Sequence, residues 1–161
     1  MPDYFDLAYA AGLTDGEGTV VIEKSRDDKR VPDSQRQYLR SRKHGGVRYR
    51  MHVSITNTDM ALLDWMLLKF GGHIYQLEKA TAKHKATFIW RVAGQEASDF
   101  LKAIRPFLKG KGLQADNAIE FQAPIQRQRR KALTDEELAT REVQRTLMAS
   151  LNRKGPAETE K

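Results

Sequence analysis

The chain has 161 residues, and 40% of them are hydrophobic, which is enough for one core in a domain of ordinary size. Its lack of cysteine excludes disulfides and thiolate metal sites, and with no recognisable signal peptide or membrane-spanning run we expect a soluble intracellular protein. The formal net charge is +7, with basic residues concentrated at 24–50 and 127–131, and this uneven excess favours nucleic acid over membrane as a polyanionic partner.

The first predicted element is a helix that starts at Tyr4, is capped by Asp3 and is apolar nearly all round. A helix without a polar face must be buried. Small residues recur along it at intervals of four, a spacing that lets another helix backbone approach closely: Ala8, Gly12 and Gly16. We therefore predict that this helix packs against a second helix along that row.

Two acids, Asp15 and Glu17, lie where this helix ends. The helix macrodipole is negative at a C-terminus and disfavours carboxylates there. The pattern therefore predicts a cationic group close to both acids.

Two strands should follow, at 19–24 and 47–55, joined by a long basic loop at 26–46 whose composition suits phosphate contacts. The second strand alternates apolar and polar residues without exception, and its apolar members should face the core. Its other face carries side chains able to contact base edges: Arg48, Arg50, His52 and Ser54.

A helix at 59–70 should come next, capped by Thr58 or Asn57 and stopped by Gly71. Its apolar stripe consists of Leu62, Leu63, Met66 and Phe70.

A hairpin of strands at 73–78 and 86–92 then completes a four-stranded sheet. In the second of these strands Phe88, Trp90 and Val92 should face the core, which leaves Arg91 on the open face. We predict that Gln76 and Arg91 are further base contacts.

The rest of the chain is predicted to be helical. A helix at 95–104 ends before a Pro-Phe-Leu-Lys segment, and Lys109 and Lys111 then lie in a glycine-containing loop ahead of a helix at 113–121. Beyond a basic connector at 124–131, a capping box opens a last helix that runs to about residue 152, with a predicted stripe of Leu138, Val143, Leu147 and Leu151.

This element order predicts an α+β protein with an αββαββα core, extra C-terminal helices and an antiparallel sheet. Helices must cover the apolar face of the sheet, so the other face should form an open, basic saddle wide enough for a duplex. We expect one domain at 1–155 and a polar tail at 156–161. No internal repeat is visible, so the acidic motif occurs once per chain.

Residues 10–18, AAGLTDGEG, resemble the signature of the LAGLIDADG homing endonucleases. The chain departs from that signature at Ala10, at Thr14 and in having Glu17 for the commoner Asp. The element order and the polarity of the strands are similar to the family from about Tyr4 to Phe121. The segment 105–115, RPFLKGKGLQA, also resembles the corresponding family segment.

The resemblance implies a site-specific endonuclease that hydrolyses double-stranded DNA with a divalent metal, for which Mg²⁺ is the expected ion. Glu17 would be the metal ligand, together with the Gly16 carbonyl, while Asn57 would position water and Lys111 would stabilise charge. The family's active-site arginine has no counterpart, because Ala61 or a neighbour stands there, and Arg48, Arg50 and Lys109 are the candidates to replace it.

A single motif per chain implies a C₂ homodimer, with Ala8, Gly12 and Asp15 at the interface and a near-palindromic target. Lys109 is a further expected DNA contact, and the host compartment should be one that contains DNA. Two alternatives remain open: a noncatalytic binder on the same fold, such as an RNA maturase or a DNA-binding regulator, and a generic basic α+β domain. Whether the gene lies in an intron also stays open.

Overall fold

A computed structural model describes residues 1–26, 47–125 and 133–153. The predicted loop at 26–46 lies outside these residues except for its first residue, Arg26, as do most of the connector at 124–131 and the whole tail at 156–161. The domain boundaries therefore stay a prediction. Within the described ranges no helix is both long and apolar enough to cross a membrane. The helices and strands are, in chain order, α1 (Tyr4–Glu17), β1 (Gly18–Arg26), β2 (Val47–Asn57), α2 (Met60–Phe70), β3 (His73–Glu78), β4 (Thr87–Ala93), α3 (Gly94–Ile104), α4 (Gly112–Gln122) and α5 (Asp135–Leu151).

The four strands form one antiparallel sheet in the order β1-β2-β4-β3. The alternation predicted for β2 is confirmed, because its apolar members are all buried under the helices: Tyr49, Met51, Val53 and Ile55. Trp90 and Val92 of β4 are buried on the same side, where the rings of Trp90 and Phe100 of α3 meet edge to face at 5.2 Å. The helices therefore cover one face of the sheet, and the polar face stays open.

Helix α1 begins as predicted, with Asp3 and Asp6 forming a reciprocal capping box. Only one of its faces is buried within the chain, through Ala10, Ala11 and Thr14. Its opposite side exposes large apolar side chains, with relative exposures of 67% for Tyr4, 80% for Phe5 and 53% for Tyr9. The expectation of burial all round is therefore not met by one chain alone, because these side chains need a further surface to cover them.

The start of α2 differs from the prediction. Asp59 is the N-cap, and its side chain accepts a hydrogen bond from Ala61 N at 3.0 Å. Asn57 stabilises the turn that leads into the helix, because its Oδ1 accepts a hydrogen bond from Asp59 N at 2.8 Å. Two short polar side chains therefore share the cap, and Gly71, with φ of 70°, ends the helix as expected.

Helix α5 has the predicted capping box, at Thr134 and Glu137, but its predicted apolar stripe is partly wrong. Val143 and Leu147 remain exposed, whereas Met148 is buried. The reason is an ionic anchor on the other side of the helix, where Glu142 accepts from Lys24 Nζ at 2.9 Å, from the Tyr49 hydroxyl and from Arg145. These bonds hold α5 against β1 and β2 and set which of its sides faces inward.

Candidate active site and nucleic-acid interface

The junction of α1 and β1 contains no linker, since the helix ends at Glu17 and the strand begins at Gly18. A Cβ atom at Gly18 would lie 2.6 Å from the Thr14 carbonyl oxygen, closer than real contacts allow, so the junction requires glycine. Gly18 pairs with Ile55 of β2, which fixes the end of α1 at one end of the sheet. The exposed side chain of Glu17 is therefore held at that end.

Asp15 is bound by the loop that precedes α4. Its carboxylate accepts three backbone hydrogen bonds, from Lys109 N at 2.7 Å, Gly110 N at 3.0 Å and Lys111 N at 2.8 Å. Burial raises the pKa of Asp15, but these three bonds and the charge of Lys111 outweigh it, so the pKa lies below its usual value. Three converging N–H groups form an anion-binding nest that Asp15 fills.

This contact gives Asp15 a role within its own chain, and its role at an interface between chains stays a prediction. Both carboxylate oxygens accept hydrogen bonds from backbone N–H groups of the same chain. Asp15 therefore positions the loop that carries Lys111. The sequence motif at 105–115 identified this loop, but it could not show that the loop is bound to α1.

Lys111 supplies the cation expected at the C-terminus of α1. Its Nζ donates a hydrogen bond to the main-chain carbonyl of Asp15, and its side chain is half-buried. A positive charge at this end of a helix is favoured by the macrodipole. The ammonium is thereby placed against the last turn of α1, two residues before Glu17.

Asn57 lies at the same end of the sheet. Because Ile55 is opposite Gly18, Asn57 extends β2 two residues beyond β1, level with the last turn of α1. It also has the parity of the buried Ile55, so it belongs to the helix-covered side on which α1 packs. The structure therefore brings Glu17, Asn57 and Lys111 to one end of one sheet.

The strand register separates the three candidates for a replacement cation. Arg50 is seven residues from Asn57 along β2 and Arg48 nine, which at about 3.4 Å per residue is roughly 24 and 30 Å. These distances exceed the reach of an arginine side chain. Lys109, in contrast, is exposed and bonds Asp15 through its own backbone. Ala61, at the position expected for the arginine, is exposed in the first turn of α2.

The donors at this end of the sheet fit a hard divalent cation only in part. Glu17 offers a carboxylate and Gly16 a carbonyl, the oxygen ligands that Mg²⁺ prefers. Among the described residues no group of three or more His, Cys, Asp or Glu side chains could hold a metal. One chain thus contributes only a partial set of oxygen ligands.

The open face of the sheet carries the predicted basic side chains. Arg48 and Arg50 are exposed there, and Arg91 lies opposite Ser54 on the adjacent strand. His52 and Ser54 point to the same face but are 5% and 7% exposed, because the long side chains around them cover the centre of the sheet. Base contact by these two residues stays a prediction.

The pairing of β3 with β4 places Gln76 on the other side of the sheet from the remaining predicted base contacts. It is directly opposite Phe88, and opposed residues in an antiparallel pair project to the same side, but Gln76 is exposed and the register shifts directly after it. Base contact by Gln76 stays a prediction. His73 and Tyr75 are opposite Arg91 and Ile89 and occupy the open face instead. The alternation of β3 alone could not show this, because its parity is set by the pairing with β4.

The outer side of α1 is open along the row of small residues. A Cβ atom at Gly12 or Gly16 would meet nothing within 4 Å, and both glycines are exposed. Beside this row lie the exposed rings of Phe5 and Tyr9, the second packed edge to face on Trp65 at 5.2 Å. The surface is apolar and free of bulk at its centre, as the predicted helix contact requires.

No protein-family model matches the sequence, and the search of curated proteins found no match. Solved structures do resemble the chain. It superposes on the homing endonuclease I-CvuI, in complex with its target in the presence of calcium, with a TM-score of 0.70 and 15% identity over 97% of this chain and 87% of that one. The archaeal intron-encoded homing endonuclease I-Vdi141I, complexed with DNA, superposes with a TM-score of 0.71 and 18% identity, over 97% of this chain and 89% of that one.

The LAGLIDADG homing endonuclease I-GzeII, in complex with its DNA target, gives a TM-score of 0.60 and 16% identity over 94% of this chain but only 46% of that one. At these identities the likeness establishes the fold. The chain has the α+β fold of the LAGLIDADG homing endonucleases, as the sequence predicted, and matches about half of I-GzeII and nearly all of I-CvuI and I-Vdi141I.

Proposed function

We propose that the chain is a site-specific homing endonuclease, which makes a double-strand break in a long, near-palindromic DNA target by metal-dependent phosphodiester hydrolysis. One observation carries the proposal: the nest around Asp15 holds the Lys111 ammonium against the turn that presents Glu17. A cation and a free carboxylate at the end of an open basic sheet are the groups that phosphodiester hydrolysis requires. The shared fold adds an independent reason to look for that chemistry there.

We assign each residue of this site a role that fits its functional group. Glu17 and the Gly16 carbonyl would hold Mg²⁺, which when bound supplies charge neutralisation and an activated water. Asn57 keeps its amide nitrogen available to orient that water, since its oxygen is bound to Asp59 N. Lys111 would stabilise negative charge on the phosphate. Lys109 is the cation we assign to the place of the family's missing arginine, because its backbone is bound to Asp15 at this end of the sheet, whereas Arg48 and Arg50 lie farther along β2.

One chain provides one such carboxylate, so a double-strand break calls for two chains. The exposed apolar side of α1, with Gly12 and Gly16 along its middle, is the surface we assign to self-association. A twofold dimer places two Glu17 residues near its axis and makes the target near-palindromic. Each strand of the duplex then meets one reaction centre.

The test is a cleavage selection on a library of randomised duplexes with Mg²⁺, followed by sequencing of the cut ends. We expect recovery of one near-palindromic site cut on both strands. Glu17→Gln should keep binding to that site and slow cleavage by about 1,000-fold or more, because the metal loses its charged ligand while the fold is unchanged. Cleavage by this variant at the wild-type rate contradicts the assignment. Duplex binding without cleavage by the wild type would favour the noncatalytic regulator, and binding to RNA alone the maturase.

A further inference from the structure

An acid interrupts the open basic face at a defined position. Glu23 of β1 is directly opposite Arg50 of β2, so both side chains project from the open face. The Glu23 side chain is 53% exposed, and Arg50 is also exposed. A carboxylate on this face weakens the general attraction to the phosphates of a nucleic acid. Its position therefore favours contact with a hydrogen-bond donor of the ligand.

The neighbouring histidine does not neutralise this acid. His52 Nδ1 lies 3.7 Å from Glu23 Oε1, diagonally across the strand pair, and its side chain is only 6% exposed. Burial lowers the pKa of His52; the Glu23 carboxylate raises it, while Arg91 and Arg50 lower it further, so the net direction is downward. At neutral pH the imidazole is therefore uncharged and does not act as a cation beside Glu23.

The opposed pair matches the chemistry of one base pair in the major groove. A carboxylate there accepts a hydrogen bond from the exocyclic N4 amine of cytosine, and arginine donates two to O6 and N7 of guanine. Opposed side chains in an antiparallel pair start about 5 Å apart, close enough to reach the two bases of a single pair. His52, packed beside Glu23, limits the directions in which the carboxylate can point.

We propose that Glu23 and Arg50 together recognise one C·G base pair in each half-site of the DNA target, Glu23 accepting from cytosine N4 and Arg50 donating to guanine. This inference rests on the proposed function, since it requires duplex DNA on the open face. It adds a named base preference that the fold alone does not supply. Glu23 then disfavours other bases at this position by repulsion as well as by lost hydrogen bonds.

Binding selections without divalent metal test this directly. Wild type, Glu23→Gln, Arg50→Ala and the control Glu96→Gln are each incubated with the randomised duplex library, and bound sequences are compared position by position. Glu96 is an exposed acid on the helix layer, so its substitution changes the net charge equally but away from the sheet face. All four proteins should give thermal unfolding curves showing a folded chain.

We expect the wild type to enrich C·G at one position per half-site. Glu23→Gln and Arg50→Ala should each reduce that preference at least about fivefold at the same position, and Glu96→Gln should leave it unchanged. Unchanged preferences in both variants, or losses at different positions, would overturn the inference while leaving the endonuclease proposal intact. Enrichment of adenine at the Glu23 position would overturn the assignment to cytosine. Enrichment of no duplex by the wild type would overturn the proposed function itself, and this inference with it.

Discussion

Replacing Asp15 by alanine removes the acceptor for three backbone N–H groups, those of Lys109, Gly110 and Lys111. A hydrogen bond to a charged group contributes about 1.5–3 kcal/mol when it is well buried. Lys109 and Gly110 are exposed, and water can replace the lost acceptor, so we discount each bond to about 1 kcal/mol. We therefore expect Asp15→Ala to lower the free energy of unfolding by about 3 kcal/mol.

In a chain of this length a loss of that size lowers the unfolding temperature by about 6–12 °C. Circular dichroism during heating at pH 7 measures it. Asp64→Ala, at an exposed acid on α2, is the matched control, since it removes the same charge from the surface. Asp15→Asn should fall between wild type and alanine because the amide retains one acceptor oxygen.

The stabilisation that Asp15 provides should decrease at low pH. The pKa of Asp15 is lowered from 3.8 in the folded chain, so its contribution to stability is present above 3.8 and is lost below it, as the pH falls through the lowered pKa of the folded chain. The difference in unfolding temperature between wild type and Asp15→Ala should therefore narrow as the pH falls below 3.8. An unfolding temperature for Asp15→Ala equal to that of Asp64→Ala at pH 7 would refute the anchoring role of this carboxylate.

Two further predictions concern the surfaces of α1 and α5. Gly12→Leu should leave the folded chain as stable as the wild type, because a Cβ there meets nothing within 4 Å, but it should lower the dimer fraction in sedimentation at equal concentration; unchanged self-association would contradict a contact through this row. Glu142→Gln should lower the unfolding temperature at pH 7, since Arg145, Tyr49 and Lys24 hold the pKa of Glu142 at about 2, below its ordinary 4.5. Its stabilisation is present above pH 4.5 and is lost as the pH falls towards 2, so the difference from wild type should disappear across that interval, and a gap persisting at pH 2 would contradict it.

Much of the architecture could be predicted from local patterns. The alternation in β2, the stop at Gly71 and the capping box that opens α5 each follow from residues close together in the chain, and each prediction is confirmed. The fold followed as well, because a short motif and the order of the elements point to the same family. Local signals suffice where the cause is also local.

Features that depend on residues far apart in the chain could not be predicted from local patterns. The face of Gln76 depends on the pairing of β3 with β4, and the partner of Asp15 is a loop more than 90 residues away. Similarly, Glu142 turns α5 so that Met148 faces inward in place of Val143, through bonds to β1 and β2. The alternation of β2 did identify the face of His52, but its burial arises from neighbours on other strands.

The direct passage from α1 into β1 gives the molecule a mechanical property. With no spacer at Gly18 and no room there for a side chain, the orientation of β1 determines where the last turn of the helix lies. A duplex that fits the sheet poorly would then misalign Glu17 even while it stays bound. Discrimination between DNA targets would then occur at the reaction step, through the position of Glu17, in addition to the discrimination that base contacts provide at the binding step.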